Sequence, residues 1–345
     1  MSIRRIAKAA GLSPAAVSMA LRNSPKISDP TKRRVLRIAR RLGYRPDPKV
    51  AGLMSQVRRS GTPGTEACLG VVSFYDSPRP WERSVHLAQM HGAMVRRAAL
   101  LGYRLEPLWL RAPGMTFRRM RTILQARGIQ GLLCFGSPNI DEAFPAELAP
   151  CAVVTQGLSV KTPLHRVVND AYGDTRRVLD RVYERGYRRP GLVLGRYEDV
   201  RGGHANLSAY FGWCQQMLGT PAIIPILTVD RLEEEALVDW LRRHLPDVLV
   251  VVHVHEVLSD LMGILRKLKA DRMLQDVGVV ALSQVLGRTG LSGIEENERL
   301  MGEWAVELLV SRIMVRDFGL PSHPRIEMVE GEWVEGRTLR PQPFR

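Results

Sequence analysis

The sequence predicts an all-α head of three short helices joined to an α/β body, and three observations predict it. Positive charge is gathered at one end. The first sixty residues hold fifteen Lys and Arg against two acids, Asp29 and Asp47, which is +13 of the chain's net +15. The same stretch shows helical apolar spacing interrupted by glycine and serine turns. From Ala67 onward, short apolar runs alternate with amphipathic stretches, the pattern of parallel sheets covered by helices. A chain of 345 residues accommodates a small domain plus a body of one or two ordinary domains. The expected boundaries are 1–46 for the head, 47–64 for a hinge and linker, and 65–345 for the body.

In the head, Ser2 can cap a first helix whose apolar residues Ile3, Ile6, Ala7 and Ala10 form one stripe. Gly11 supplies the turn, since it tolerates a left-handed backbone where a side chain would clash. Ser13 caps a second helix, residues 14–22, with Pro14 at the first helical position and Val17, Ala20 and Leu21 facing inward. Asn23, Ser24 and Pro25 end it. Ser28 caps a third helix with Val35, Ile38, Ala39 and Leu42 inward and Gly43 stopping it. Two short helices joined by a glycine turn and braced by a third make a helix-turn-helix domain.

A basic head on a near-neutral body suits a polyanion, and the helix pattern points to double-stranded DNA. In this geometry the second helix enters the major groove with Ala15, Ala16, Ser18, Met19 and Arg22 outward. Ala and Met can touch thymine methyl groups; Ser18 and Arg22 can donate to base edges or phosphates. Lys32, Arg33, Arg34, Arg37, Arg40 and Arg41 on the third helix are phosphate-type contacts or a solvated face. The expected DNA contacts are Ser2, Ser13, Pro14, Ala15, Ala16, Ser18, Met19, Arg22, Asn23, Ser28 and Arg34, with Tyr44, Lys49 and Leu53 beyond.

Three local motifs make the head specific: Ala7-Lys8-Ala9-Ala10-Gly11-Leu12-Ser13, Val17-Ser18, and Leu42-Gly43-Tyr44-Arg45-Pro46-Asp47. Together they resemble the DNA-binding head of the lac repressor (LacI/GalR) family. Met19 stands where most members of that family have Arg after the Val-Ser pair, so the usual operator sequence is not expected. The resemblance implies that residues 47–58 form a hinge helix that folds on DNA, two copies lying in the minor groove with Leu53 wedged between central base pairs. Read without the resemblance, Leu53 and Met54 are a helix–body packing pair. Pro48 and Gly52 weaken that helix without DNA.

In the body, the runs Leu69–Phe74, Leu132–Phe135, Ala152–Thr155, Gly191–Leu194, Ile223–Ile226, Val248–Val252 and Val277–Leu282 read as strands. An interruption near 196–203 and returning segments near 284–296 and 326–334 suggest two lobes crossed several times by the chain. Ligands of such folds sit at the strand carboxyl ends, between lobes. Val167-Val168-Asn169-Asp170-Ala171-Tyr172-Gly173, Arg185 to Val193, and Ser292 to Leu309 resemble further segments of the same family. The implied body is a two-lobed, periplasmic-binding-protein-like domain that binds a small-molecule effector and dimerises. Sugar-binding members carry an Arg three residues before a Gly-aromatic pair; here Gly212-Trp213 has Ala209 at that place. Sugar specificity is therefore not expected to transfer.

The expected effector contacts are Tyr75, Asp76, Trp81, Arg196, Glu198, Trp213, His253, His255 and Ser283. Each has a plainer reading. Tyr75, Asp76 and Trp81 suit loop packing equally well, and His253 and His255, at strand spacing without a third ligand, suit cleft lining better than a metal. Asp170 reads as a helix cap, and Glu233 to Glu235 as acids opening a helix. Cys68, Cys134, Cys151 and Cys214 lie far apart, without a CxxC pair, and read as reduced buried thiols. No apolar run approaches the ~20 residues of a membrane span, and Met1 to Arg5 lacks a signal-peptide core. GxGxxG, GxxxxGK[ST], HExxH and GxSxG motifs are all missing. The expectation is a cytoplasmic homodimeric transcriptional regulator, a repressor on a palindromic operator, without cofactor, metal or membrane partner and without enzymatic activity. The alternative is a ligand-independent dimeric architectural DNA-binding protein.

Overall fold

The computed structural model describes residues 3–21, 27–42, 67–252, 263–264, 277–283 and 290–340. The chain divides into two units, Met1–Glu66 and Ala67–Arg345. In the first, helices α1 (Ile3–Ala10), α2 (Pro14–Leu21) and α3 (Asp29–Arg41) close on one core. Ile6, Ala7, Ala10, Val17, Ala20, Val35 and Ala39 are buried in it, with Leu12, Leu21, Ile27, Ile38 and Leu42 packed at its edge. These are the apolar positions that 3.6-residue spacing places on one face of each helix. Gly11 has φ +61°, the left-handed turn the sequence calls for, and the Leu12 amide donates to Ala7 O at 3.0 Å. The Ser13 hydroxyl accepts from the Ala16 amide at 3.1 Å and so caps α2.

The second unit holds two six-stranded sheets among the described residues. The first comprises β1 (Ala67–Ser73), β2 (Tyr103–Trp109), β3 (Gly131–Cys134), β4 (Ala152–Gln156), β5 (His165–Asn169) and β11 (Ile326–Val329), in the order β11-β5-β4-β3-β1-β2. All its pairings are parallel. The second comprises β6 (Pro190–Gly195), β7 (Leu227–Val229), β8 (Val248–Val252), β9 (Gly278–Ser283), β10 (Ser292–Glu295) and β12 (Glu332–Val334), ordered β12-β10-β9-β8-β6-β7. Only the β10–β12 pair is antiparallel. The chain builds β1–β5 in the first sheet and β6–β10 in the second. It then returns for β11 and crosses back for β12, as the two-lobed reading expects.

Both faces of each sheet are covered, which is why the central strands read as unbroken apolar runs. In β1, Leu69 and Val71 join the core beneath α4 (Val85–Leu100) and α10 (Glu298–Val315), whereas Cys68 and Val72 join the core beneath α5 (Phe117–Ala126). In the second sheet, Leu249 and Val251 pack with Trp240 of α9 (Glu234–His244). Val248, Val250 and Val252 pack with α6 (Ala171–Glu184) and α8 (Ala205–Met217). The four cysteines are free and buried. Asp170 caps α6, its carboxylate accepting from the Gly173 amide at 3.0 Å. No helix among the described residues is long and apolar enough to cross a membrane.

One expected strand is displaced. Residues 223–226 are a connector after a short 3-10 turn, Thr220–Ala222, and the strand is Leu227–Val229. Pro225 has no amide hydrogen to give a ladder. The connector's carbonyls are satisfied by side chains: Trp240 Nε1 donates to Pro225 O at 2.8 Å, and the Tyr210 hydroxyl lies 3.0 Å from Ile224 O. Strands β2 and β5 are additional to those the sequence suggested. Edge strand β2 carries Arg104, Glu106 and Pro107; β5 opens with buried His165 and Arg166.

Candidate nucleic-acid interface and ligand cleft

The apolar residues of the head face inward, so its charge is left outside. Lys8, Arg33, Arg34, Arg37 and Arg41 are exposed, as is the capping Ser13, while Ala16 and Met19 are half-buried on α2. The Arg34 guanidinium stands beside Gly11, bringing a cation to the turn between α1 and α2. Lys32 differs from its neighbours, because it pairs with Asp29 at 3.0 Å. That hydrogen bond and charge hold the Asp29 carboxyl below its ordinary range. The remaining exposed arginines form a surface suited to phosphates, next to the short helix of the glycine turn.

In the body, the carboxyl ends of the parallel strands carry the polar groups. After β1, the Ser73 hydroxyl donates to Ser77 O at 2.6 Å and accepts from the Tyr75 amide at 3.2 Å. This folds Tyr75 and Asp76 into a tight loop, which Trp109 Nε1 braces by donating to Tyr75 O at 2.9 Å. Trp81 stacks flat on His91, with centroids 3.9 Å apart, and tilts against Phe135 at 5.5 Å. Burial, together with the charge of Arg79, pushes the His91 imidazole below its ordinary pKa, so it sits neutral against the indole at pH 7. After β3, Gly136 has φ +76°, where a Cβ would stand 2.8 Å from Ser159 Oγ. Glu142 gathers Ser137 Oγ (2.8 Å), Asn139 Nδ2 (3.1 Å) and Arg111 (2.8 Å), and Arg111 also reaches Asp76 at 3.5 Å.

From the second sheet, a short helix α7 (Arg196–Arg201) follows β6 and touches the loops of the first. The Tyr197 hydroxyl donates to Pro138 O at 2.6 Å, and Arg201 Nη1 donates to Tyr197 Oη at 3.3 Å. Tyr75 is an electrostatic neighbour of Arg201. Arg196 turns the other way and pairs with Asp230 at 3.0 Å. Asp199 is buried, with one oxygen 2.6 Å from His204 Nδ1 and the other without a hydrogen-bond partner. A second bridge joins the sheets where Asn169 Nδ2 donates to Glu296 at 2.8 Å.

Residues 2–47 match the family profile described as "Bacterial regulatory proteins, lacI family". That match covers the head of the chain. The fold of the chain agrees over the whole length with solved members of that architecture. A transcriptional regulator CelR in complex with cellobiose aligns at TM-score 0.58 and 20% identity, covering 98% of this chain and 99% of that one. The lac repressor dimer bound to operator and the anti-inducer ONPF aligns at 0.55 and 17%, covering 99% of each. The transcription regulator CcpA of Lactococcus lactis aligns at 0.56 and 13%, covering 80% of this chain and all of that one. At such identities these likenesses concern the fold. No curated protein sequence matches the chain.

The sequence-named residues fall into three groups. Ser13, Ala16, Met19, Ser28 and Arg34 lie at the surface or half-buried on the head, and Pro14, Ala15 and Ser18 lie on α2. Ser2, Arg22, Asn23, Tyr44, Lys49, Leu53, His253 and His255 lie outside the described residues. In the body, Tyr75, Asp76 and Trp81 follow β1, Glu198 and Arg196 lie on α7 after β6 with Arg196 turned to Asp230, and Ser283 ends β9. Trp213 does not join them. It is 1% exposed in the core under α6 and α8, with Nε1 donating to Asp180 at 2.6 Å. Ala209, one turn earlier on α8, is wholly buried. Sequence reading did not single out Tyr197, Arg201, Glu142 and Asn169; Asn169 ends β5, and the others lie on the segments that follow β3 and β6.

Proposed function

We propose that this chain is a lacI-family repressor that binds an approximately palindromic operator as a homodimer under control of a small molecule. The head carries this reading: a capped helix after a left-handed glycine turn, flanked by exposed Arg33, Arg34, Arg37 and Arg41. One such head contacts too little DNA for useful specificity, whereas two on one body add their half-site energies. Leu53 and the hinge are assigned the central wedge by their place after the Leu42-Gly43-Tyr44-Arg45-Pro46 motif. Ala16 and Met19, half-buried on the outer side of α2, favour thymine methyl contacts. Effector control is supported by the two sheets, whose facing loops meet at Tyr197 and Pro138; a ligand seated there changes how the lobes close.

Selection of bound sites from random duplexes tests this reading. The expected result is a two-fold symmetric motif recovered by a dimer. A monomer with no preference for any double-stranded sequence at physiological salt overturns it. The second reading, a dimeric DNA-binding protein that needs no ligand, is favoured by buried, apolar Ala209 and by the α7 contacts that already join the sheets. Calorimetry against sugars and nucleobases, beside a melting-temperature screen, separates the two.

A further inference from the structure

Arg201 differs from the other arginines around the cleft. Arg79 pairs with Glu82, Arg111 with Glu142 and Asp76, and Arg196 with Asp230. Among the described residues, no carboxylate pairs with Arg201. Its hydrogen-bond acceptor is the Tyr197 phenol, and the Tyr75 phenol stands nearby; neither oxygen cancels the charge. A partly buried guanidinium held only by neutral acceptors has both charge and planar donor geometry to offer, and a carboxylate matches both. It is held in place from two sides. Tyr197 is anchored on Pro138 O across the cleft, and the guanidinium lies against the β3 loop, in van der Waals range of the Gly136 position.

The neighbouring surface is aromatic. Phe135 precedes Gly136 in the chain, and Phe135, Trp81 and the neutral His91 form one ring cluster. Trp81 follows Tyr75 on the same loop and remains partly exposed. A flat ring suits such walls, which offer faces and edges rather than hydroxyl clamps.

We infer that the cleft takes a small aromatic carboxylate, its acid group on the Arg201 guanidinium between Tyr75 and Tyr197. This deepens the effector half of the proposed function and rests on it. The ligand enters as the anion, and its charge replaces the missing carboxylate partner. Neutral sugars cannot do this.

The test uses the full chain and calorimetric titration with benzoate, 4-hydroxybenzoate and phenylacetate. Benzamide and benzyl alcohol serve as neutral counterparts, inorganic phosphate as a bare anion, and glucose and cellobiose as sugars. At least one acid is expected to bind about tenfold or more tighter than benzamide and to raise the melting temperature. Arg201→Gln should lose about tenfold or more of that affinity with an unchanged ligand-free melting temperature. Arg201→Lys, which keeps charge but not the fork, should fall between. Binding of benzamide or a sugar as tight as the best acid overturns the inference, as does an Arg201→Gln variant that binds normally. No binding by any of the three acids, or equal binding of phosphate, also overturns it. If wild-type protein selects a duplex motif but fails these titrations, this inference falls and the DNA-binding reading stands. Indifference to duplex sequence sinks that reading whatever the titrations show.

Discussion

Asp174 shows how burial and pairing compete at one side chain. It is 1% exposed on α6, accepts from the Gly331 amide at 3.2 Å and pairs with Arg177. Burial outweighs those contacts and raises its carboxyl to about 6, from 3.8. The folded chain then holds a proton there more tightly than the unfolded chain, so this site's contribution to stability falls as pH rises from about 4 to 6. Asp174→Asn should flatten that part of the profile. Its melting temperature relative to wild type should rise between pH 4 and pH 6.5, by the equivalent of about 3 kcal/mol at most. A difference that stays constant with pH refutes the raised carboxyl. At this scale, what sequence could reveal depended on range. Gly11 and Ser13 were legible because a left-handed turn and a helix cap involve only neighbours in the chain. Asp174 was not, since its environment comes from Gly331 of a distant segment.

At the scale of elements, Tyr210 explains why one strand lies where it does. Its hydroxyl is 2.9 Å from Pro190 O and 3.0 Å from Ile224 O, so it ties the start of β6 to the connector before β7. Tyr210→Phe should leave those buried carbonyls short of a donor at a cost of about 1–3 kcal/mol. The body's melting temperature should then fall by roughly 2–4 °C per kcal/mol. An unchanged midpoint would mean that ordered water replaces the hydroxyl. Apolar runs located most central strands in the sequence because both faces of those strands are covered. They failed at edge strand β2, where Arg104 and Glu106 are tolerated, and at β5, where buried Arg166 satisfies itself on the carbonyls of Gly157, Val160 and Thr162. Apolarity at 223–226 signalled burial correctly but not a ladder, which Pro225 prevents.

For the whole molecule, the separation of a charged head from a near-neutral body leads to distinct DNA-binding effects. Arg34→Ala, beside the Gly11 turn, should weaken binding to all duplexes alike and reduce the salt slope by about 1 if it meets phosphate. Leu53→Ala should weaken the selected site much more than random DNA, because a wedge contributes only where the duplex is kinked. Competition titrations at several salt concentrations measure both. Equal loss at all sequences for Leu53→Ala contradicts the wedge. From the sequence alone came the head, its turn, its charge and the alternation of strands and helices, since caps, periodicity and net charge are local or additive properties of the chain. The tertiary structure decided which sheet each strand joins, the return of β11 to the first sheet, and the meeting of Tyr75, Tyr197 and Arg201. Those depend on strand pairing and interlobe packing between remote segments, and no local propensity encodes them.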